Sequence, residues 1–148
     1  ICSLLHNKIS IDVRESYLKA KSEAKKDLSK INKKFEELSK SEEFLLCITE
    51  NGYGKLSSAY EYRITNRGGS GVTNITVTPK NGRVVQSLKV NADDNIALIS
   101  DNGKLLRCNV GENIRVVGRV SQGVSVFKVD KKEKIVAVAR LEENGDDD

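Results

Sequence analysis

Residues 44–52 read Phe44-Leu45-Leu46-Cys47-Ile48-Thr49-Glu50-Asn51-Gly52, and residues 96–103 read Ile96-Ala97-Leu98-Ile99-Ser100-Asp101-Asn102-Gly103. The two stretches match with a one-residue offset. Each is an apolar run that stops at Asn-Gly, the pattern of a strand entering a tight turn. The likeness continues downstream. Arg67 matches Arg119, Gly71 matches Gly123 and Val72 matches Val124, each pair 52 residues apart. Each unit closes on a valine-rich strand, Val84 to Val90 and Ile135 to Leu141. A period near 50 residues with four short strands per unit marks propeller-like blades. Two such units do not close a ring.

Around these two stretches, the strand series is Phe44–Thr49, Val72–Thr78, Val84–Val90, Ile96–Ser100, Lys104–Cys108, Ile114–Val117, Val124–Val129 and Ile135–Leu141. Pro79-Lys80-Asn81-Gly82 reads as a hairpin turn between the second and third of these. Ile135-Val136-Ala137-Val138 is apolar at every position, which predicts a strand covered on both faces. Upstream, residues 12–43 contain no glycine or proline. Apolar side chains recur at Ala24, Leu28, Ile31, Phe35 and Leu38, a helical period with one stripe. Asp12 is placed to cap it, with Glu15 three residues on, and Glu36 precedes Lys40 at a favourable spacing. One long helix or two shorter ones fit. The stripe packs on the neighbouring sheet or binds a partner helix, or the segment is a marginal, partly disordered linker. Ile1-Cys2-Ser3-Leu4-Leu5 looks like the closing strand of a preceding blade. The absence of methionine at position 1 is read as a start inside a longer protein. The expected organisation is 1–9 closing strand, 10–43 helical insertion, 44–95 blade, 96–141 blade and 142–148 acidic tail.

The chain has 25 Lys+Arg against 21 Asp+Glu, a formal net of +4. That average conceals its distribution. Residues 44–141 carry +7, residues 1–43 carry +2, and residues 142–148 carry −5. A basic body therefore stands beside an acidic end, which reads as a solubilising tail or a competitor for the body's ligand. No apolar run approaches a membrane span of about 18 residues. Three widely spaced cysteines without a Cys-x-x-Cys pair argue against a disulfide framework or zinc site, and for reduced thiols in a cytoplasmic protein. His6 is the only histidine and reads as a surface or strand-end residue. No nucleophile–base pair or carboxylate dyad stands out. The pattern points to binding rather than catalysis.

Each repeat carries a corner with arginines and glycine. The first is Tyr62-Arg63-Ile64-Thr65-Asn66-Arg67-Gly68-Gly69-Ser70-Gly71-Val72; the second runs Ile114-Arg115-Val116-Val117-Gly118-Arg119-Val120-Ser121-Gln122-Gly123-Val124. Gly68, Gly69, Gly71 and Gly123 are expected to bend the backbone. Arginines beside such bends suit phosphate. The candidate cations are Arg63 and Arg67 on the first corner and Arg115 and Arg119 on the second. Lys55, Lys104 and Arg107 on the strands join them, and Arg83 flanks a turn. Contacts of this kind go to the duplex backbone and are sequence-independent.

At these residues the chain resembles the C-terminal domain of bacterial DNA gyrase A, over about two-thirds of its length. The resemblance lies in Thr49-Glu50-Asn51-Gly52-Tyr53-Gly54-Lys55, in Tyr60-Glu61-Tyr62-Arg63-Ile64-Thr65-Asn66-Arg67-Gly68-Gly69, in Arg119 with Gln122-Gly123-Val124, and in the closing Lys134–Leu141. It implies a mainly β pinwheel: propeller-like blades that exchange a strand, with the α-helical insertion near the N-terminus. It also implies a basic rim that wraps duplex DNA and supports ATP-dependent negative supercoiling by a type II topoisomerase. The implied partners are the rest of gyrase A and the gyrase B protein in an A2B2 assembly, in the bacterial cytoplasm at the nucleoid. The resemblance implies no cofactor in this part, ATP and Mg being bound by gyrase B. The cleaving tyrosine belongs to the N-terminal part, so Tyr17, Tyr53, Tyr60 and Tyr62 inherit no catalytic role. The early-blade wrapping box of the family has only a degenerate relative in Asn66–Gly71, with Ser70 where a lysine would add charge. Leu56 follows Lys55 where relatives often carry a cation, and Val120-Ser121 replaces a polar pair; these departures predict a weaker grip. Two alternatives are the homologous domain of topoisomerase IV and a protein-interaction propeller piece.

Overall fold

The structure is a computed structural model that describes residues 9–24 and 35–141. The expected closing strand at residues 1–5, the stripe residues Leu28 and Ile31, and the acidic tail lie outside the described residues.

Among the described residues, seven strands form two antiparallel sheets. They are β1 (Phe44–Thr49), β2 (Tyr53–Ser58), β3 (Val84–Val90), β4 (Asn95–Ser100), β5 (Leu105–Asn109), β6 (Val124–Ser125) and β7 (Ile135–Leu141). The first sheet has the order β3-β1-β2-β6 and the second β5-β4-β7. Thus β1 and β4, the two stretches that match in sequence, are each flanked by the next strand and by the closing strand of their own repeat. Leu46 lies opposite Leu56 and Leu88; Leu98 lies opposite Leu106 and Val138. All of β1 beyond Phe44 is buried, because both faces are covered. One shared core joins the sheets. Leu46, Ile48, Leu56 and Val90 of the first meet Ile96, Leu98, Ile135 and Val138 of the second, with Val110 and Ile114 closing the end.

The fourth strand of the first sheet comes from the second repeat. Residues of β6 pair with β2, Tyr53 opposite Ser125 and Gly54 opposite Val124. Just upstream, Leu56 donates its N–H to the Arg115 carbonyl at 3.0 Å, and its own carbonyl accepts from Val117 N–H at 2.9 Å. The two repeats are therefore stitched by exchange, as the resemblance implied. This corrects the strand list. Ile114–Val117 shrinks to a single bridge between Val116 and Leu56, Val124–Val129 keeps two strand residues, and Val72–Thr78 forms no strand. Period-two apolarity marks a segment able to pair, and pairing needs an available edge. The Pro79–Gly82 turn is likewise no hairpin. Buried Asn81 organises it instead, donating to the carbonyls of Thr76 and Gln122 at 2.9 Å each and accepting from Thr78 N–H at 2.7 Å.

The one-residue offset between repeats has a local cause. After β2, Ser58 caps a three-residue 3-10 turn, Ala59–Glu61, by accepting from Tyr60 N–H. After β5, Asn109 caps a four-residue helix by accepting from Glu112 N–H. The second cap encloses one more residue, so the spacing grows from 51 to 52 beyond it.

The helical insertion is α1 (Ile11–Ala24) and α2 (Glu36–Lys40); the helix after β5 is α3 (Val110–Asn113). Asp12 sits inside the first turn of α1 rather than capping it, where its carboxylate still favours the helix N-terminus. Glu36 and Lys40 form the expected pair at 3.8 Å. The insertion packs on the 3-10 turn of the first repeat. Tyr17, fully buried, meets Phe35 and Tyr60 edge to face, with centroids 5.7 and 5.6 Å away. Tyr60 donates to the Leu38 carbonyl at 2.9 Å, and Tyr17 donates to Glu42 at 2.8 Å. Phe35 and Leu38 of the apolar stripe thus face the blade. Burial, then the Glu42 carboxylate, pushes the Tyr17 hydroxyl far above its usual range.

One buried acid pins the second sheet. Glu133 accepts from Lys104 Nζ at 2.8 Å, Ser100 Oγ at 2.6 Å and Asp130 N–H at 3.2 Å. Hydrogen bonds from Lys104, then Ser100, hold its carboxyl at about 2, below the ordinary 4.5. A carboxyl lowered on folding stabilises the native state fully above its unfolded value and loses that contribution as pH falls. Stability is therefore expected to decline between about pH 4.5 and 2, and Glu133→Gln should flatten this decline in urea titrations at stepped pH. An unchanged slope would assign the acid sensitivity to other groups.

Candidate nucleic-acid interface

The two corners extend from equivalent capped turns and carry their arginines differently. Arg63 and Arg67 are exposed on the first corner, and Arg115 is exposed on the second. Arg119 is half-buried. Its backbone N–H donates to Glu61 Oε2 at 2.7 Å, and its Nη1 donates to the Thr73 carbonyl. The second corner is thereby folded against the first, and Arg63 and Arg119, distant in sequence, line one open groove with Glu15, Glu61 and Gly71–Thr73. The groove continues under α1, where Arg14 joins the same two arginines. Arg14 is itself buried, and its Nη1 donates to the Tyr62 carbonyl at 3.2 Å.

The structure corrects the expectation for Lys55. Its side chain is fully buried, and its ammonium donates to the carbonyls of Asn74, Gly118 and Arg119. Burial lowers its pKa. The reason is the exchange: the second corner closes over β2 against the first repeat, and a cation satisfies the inward carbonyls of both, one from the first and two from the second. Lys104 is half-exposed, but Asp130 at 2.9 Å and Glu133 at 2.8 Å offset its charge. Arg107 is exposed on β5, in the second sheet rather than on a corner. The surface cations near the corners are thus Arg63, Arg67, Arg115 and Arg119.

Of the four expected bends, Gly68, Gly71 and Gly123 have positive φ, from 75 to 78°, and Gly69 does not. Gly123 is needed twice over, since a Cβ there would also stand 3.0 Å from the Gly54 carbonyl oxygen. Glu61 and Arg14 are not legible as site residues in the sequence. Nothing in their spacing distinguishes them from other surface charges of the helical and turn segments.

The four tyrosine side chains sit in packing roles: Tyr17 and Tyr60 as above, Tyr62 donating to Asn74, and Tyr53 under Lys80, whose Nζ stands 5.7 Å from the ring centre. Cys47 is buried and Cys108 half-buried, and burial pushes both thiols up. Among the described residues, no group of three or more His, Cys, Asp or Glu is placed to hold a metal ion. None of the described helices is long and apolar enough to cross a membrane.

Two sheet repeats joined by an exchanged strand, each carrying an arginine corner, define a propeller-like module. A family model described as the DNA gyrase C-terminal domain, beta-propeller, matches residues 43–91 and 94–142. The chain belongs to that family. It is 49% identical over 111 residues to the DNA gyrase A protein of Rickettsia bellii, and 42% identical over 117 residues to that of Granulibacter bethesdensis. These alignments cover 75% and 74% of this chain but 12% of each relative, so the chain spans about an eighth of their length. A solved DNA gyrase A C-terminal domain superposes with a TM-score of 0.62 at 32% identity, covering 67% of this chain and 33% of that one. A C-terminal domain of DNA topoisomerase IV gives 0.60 at 21% identity, covering 68% and 30%, which shows the shared fold alone.

Proposed function

We propose that this chain binds duplex DNA through its phosphates without reading sequence, and bends it, as the C-terminal part of a gyrase A protein. The observation that carries this reading is the convergence of Arg63 and Arg119 on one groove between two arginine corners, in a chain of that family. Bending a short duplex costs of order 1–6 kcal/mol. Arginines on a curved surface offset this by neutralising phosphates and releasing counterions. In the whole enzyme the bent duplex would be presented for strand passage, with the cleaving tyrosine elsewhere in gyrase A and with ATP and Mg on gyrase B, in an A2B2 assembly at the nucleoid. Lys55 takes no part in the contact, and Lys104 contributes little while Asp130 and Glu133 hold it.

A salt titration of duplex binding tests this. Four phosphate contacts give a log–log slope near −3.6, on about −0.9 per phosphate. Arg67→Ala and Arg115→Ala should each weaken binding evenly across sequences and reduce the slope by about 1. A flat salt response, with both variants unchanged, would overturn the reading in favour of a protein-interaction module. The same titration on a chain ending at Leu141 tests the acidic tail: tighter binding at low salt is expected if the tail competes for the corners, and unchanged affinity makes it a solubilising end.

A further inference from the structure

Helix α1 is an addition to the first repeat rather than part of its blade. In the second repeat the turn that matches Ala59–Glu61 is Val110–Asn113, where Gly111, Glu112 and Asn113 are exposed. Counted 51 or 52 residues on, Tyr60 falls on Gly111 or Glu112, so the ring that carries α1 has no counterpart there. On the first repeat α1 is fastened along its length. Arg14 donates to the Tyr62 carbonyl at 3.2 Å, Tyr17 is fully buried against Tyr60, and Lys21 meets Glu42 at 2.5 Å. A helix fastened in this way holds one fixed edge over the corners. Burial decides the charge on that edge. Of the two neighbouring ionisable residues that α1 brings to the groove, Arg14 is buried with its guanidinium turned to the backbone of the first corner, and Glu15 is exposed. Glu15 also lines the outer groove with Arg63 and Arg119, whereas Lys19, one turn on, is not among the walls. The other acid there, Glu61, is committed through Oε2 to the Arg119 amide at 2.7 Å.

We propose that α1 forms an acidic lip on the phosphate groove, and that Glu15 limits how tightly the groove holds duplex DNA. This rests on the phosphate-binding reading above and adds the residue that sets its strength. The groove measures about 460 Å³, so its walls stand within the Debye length of about 10 Å at 0.1 M salt. A phosphate drawn to Arg63 and Arg119 therefore meets the Glu15 carboxylate as a like charge, and repulsion opposes part of the arginines' attraction. The helical insertion thus acts on the site through one exposed acid, while its buried residues only hold that acid in place.

Binding of a short fluorescent duplex to the full chain, followed by anisotropy across a range of salt, tests this. Glu15→Gln should tighten binding about threefold at low salt and Glu15→Lys about tenfold, and both should converge on wild type as salt rises and screening shortens. Glu23→Gln makes the same change of net charge on the same helix, eight residues and about 12 Å further along it, and should leave affinity at the wild-type value. Glu15 and Glu23 are exposed, so all three variants should melt like wild type. In an Arg63→Ala background the phosphate loses part of its seat, and the gain from Glu15→Gln should shrink. Affinity unchanged or weakened by Glu15→Gln, an equal gain from Glu23→Gln, or an undiminished gain beside Arg63→Ala would each overturn the proposal while leaving the phosphate reading standing. A wild type that binds no duplex, or binds it with a flat salt response, would overturn the phosphate reading and this inference with it.

Discussion

Lys55→Ala should destabilise the chain by about 3 kcal/mol, because it strips the cation from three inward carbonyls at the seam between repeats. The Lys55 ammonium donates to Asn74 of the first repeat and to Gly118 and Arg119 of the second. Each orphaned buried carbonyl costs about 1–3 kcal/mol, and water entering the space left by the stem recovers part of that. Lys55→Met keeps the packing of the stem but makes no hydrogen bonds, so it should recover only a minor share. Urea denaturation gives the stability change, and a melting point lower by roughly 10 °C or more should accompany Lys55→Ala. A variant with wild-type stability would show that the three carbonyls find other partners. Salt dependence of DNA binding by the folded variant should stay near wild type, which separates a structural lysine from a phosphate contact.

The second large effect is expected at Gly52. Its φ is +77°, and a Cβ there would lie 2.0 Å from the backbone oxygen of Phe127. Alanine therefore meets both a left-handed backbone, worth roughly 1–3 kcal/mol, and a collision that neither backbone relieves without undoing the Gly52–Val126 and Gly52–Phe127 hydrogen bonds. A loss of about 4 kcal/mol is expected, with β6 released from β2. Gly103 is the internal control. It has φ +78° and no atom within 4 Å of a Cβ, so Gly103→Ala should cost only the conformational part, about 1–2 kcal/mol. Thermal melts of the two variants compare them directly. Equal losses would mean that the exchanged segment yields easily and that the seam is soft.

These two sites also mark what is readable in advance. The strands β1, β3, β4 and β7 are long, apolar and bounded by turn residues, and their alternation places them within a residue or two. Asn81, read as a hairpin residue, instead joins Thr76 to Gln122 of the next repeat, since its two amide hydrogens have backbone carbonyls from both within reach. The arginine corners are legible as repeats, whereas the meeting of Arg63 with Arg119 is not. It depends on Glu61 holding the Arg119 amide, a contact across 58 residues.

The repeat, the strand cores, the helical insertion and the basic body all follow from the order of residues. They are local or periodic properties, set by side-chain alternation, turn chemistry and charge, and each is written in neighbouring residues. Which segments become strands, and which cations stay at the surface, is settled by three-dimensional packing. Val124-Ser125 pairs because β2 offers it an edge, while the equivalent Val72-Thr73 does not pair among the described residues. Lys55 is buried and Arg67 exposed although both are basic residues beside glycines. Pairing and burial depend on what another part of the chain brings to the same place, and no local pattern encodes that.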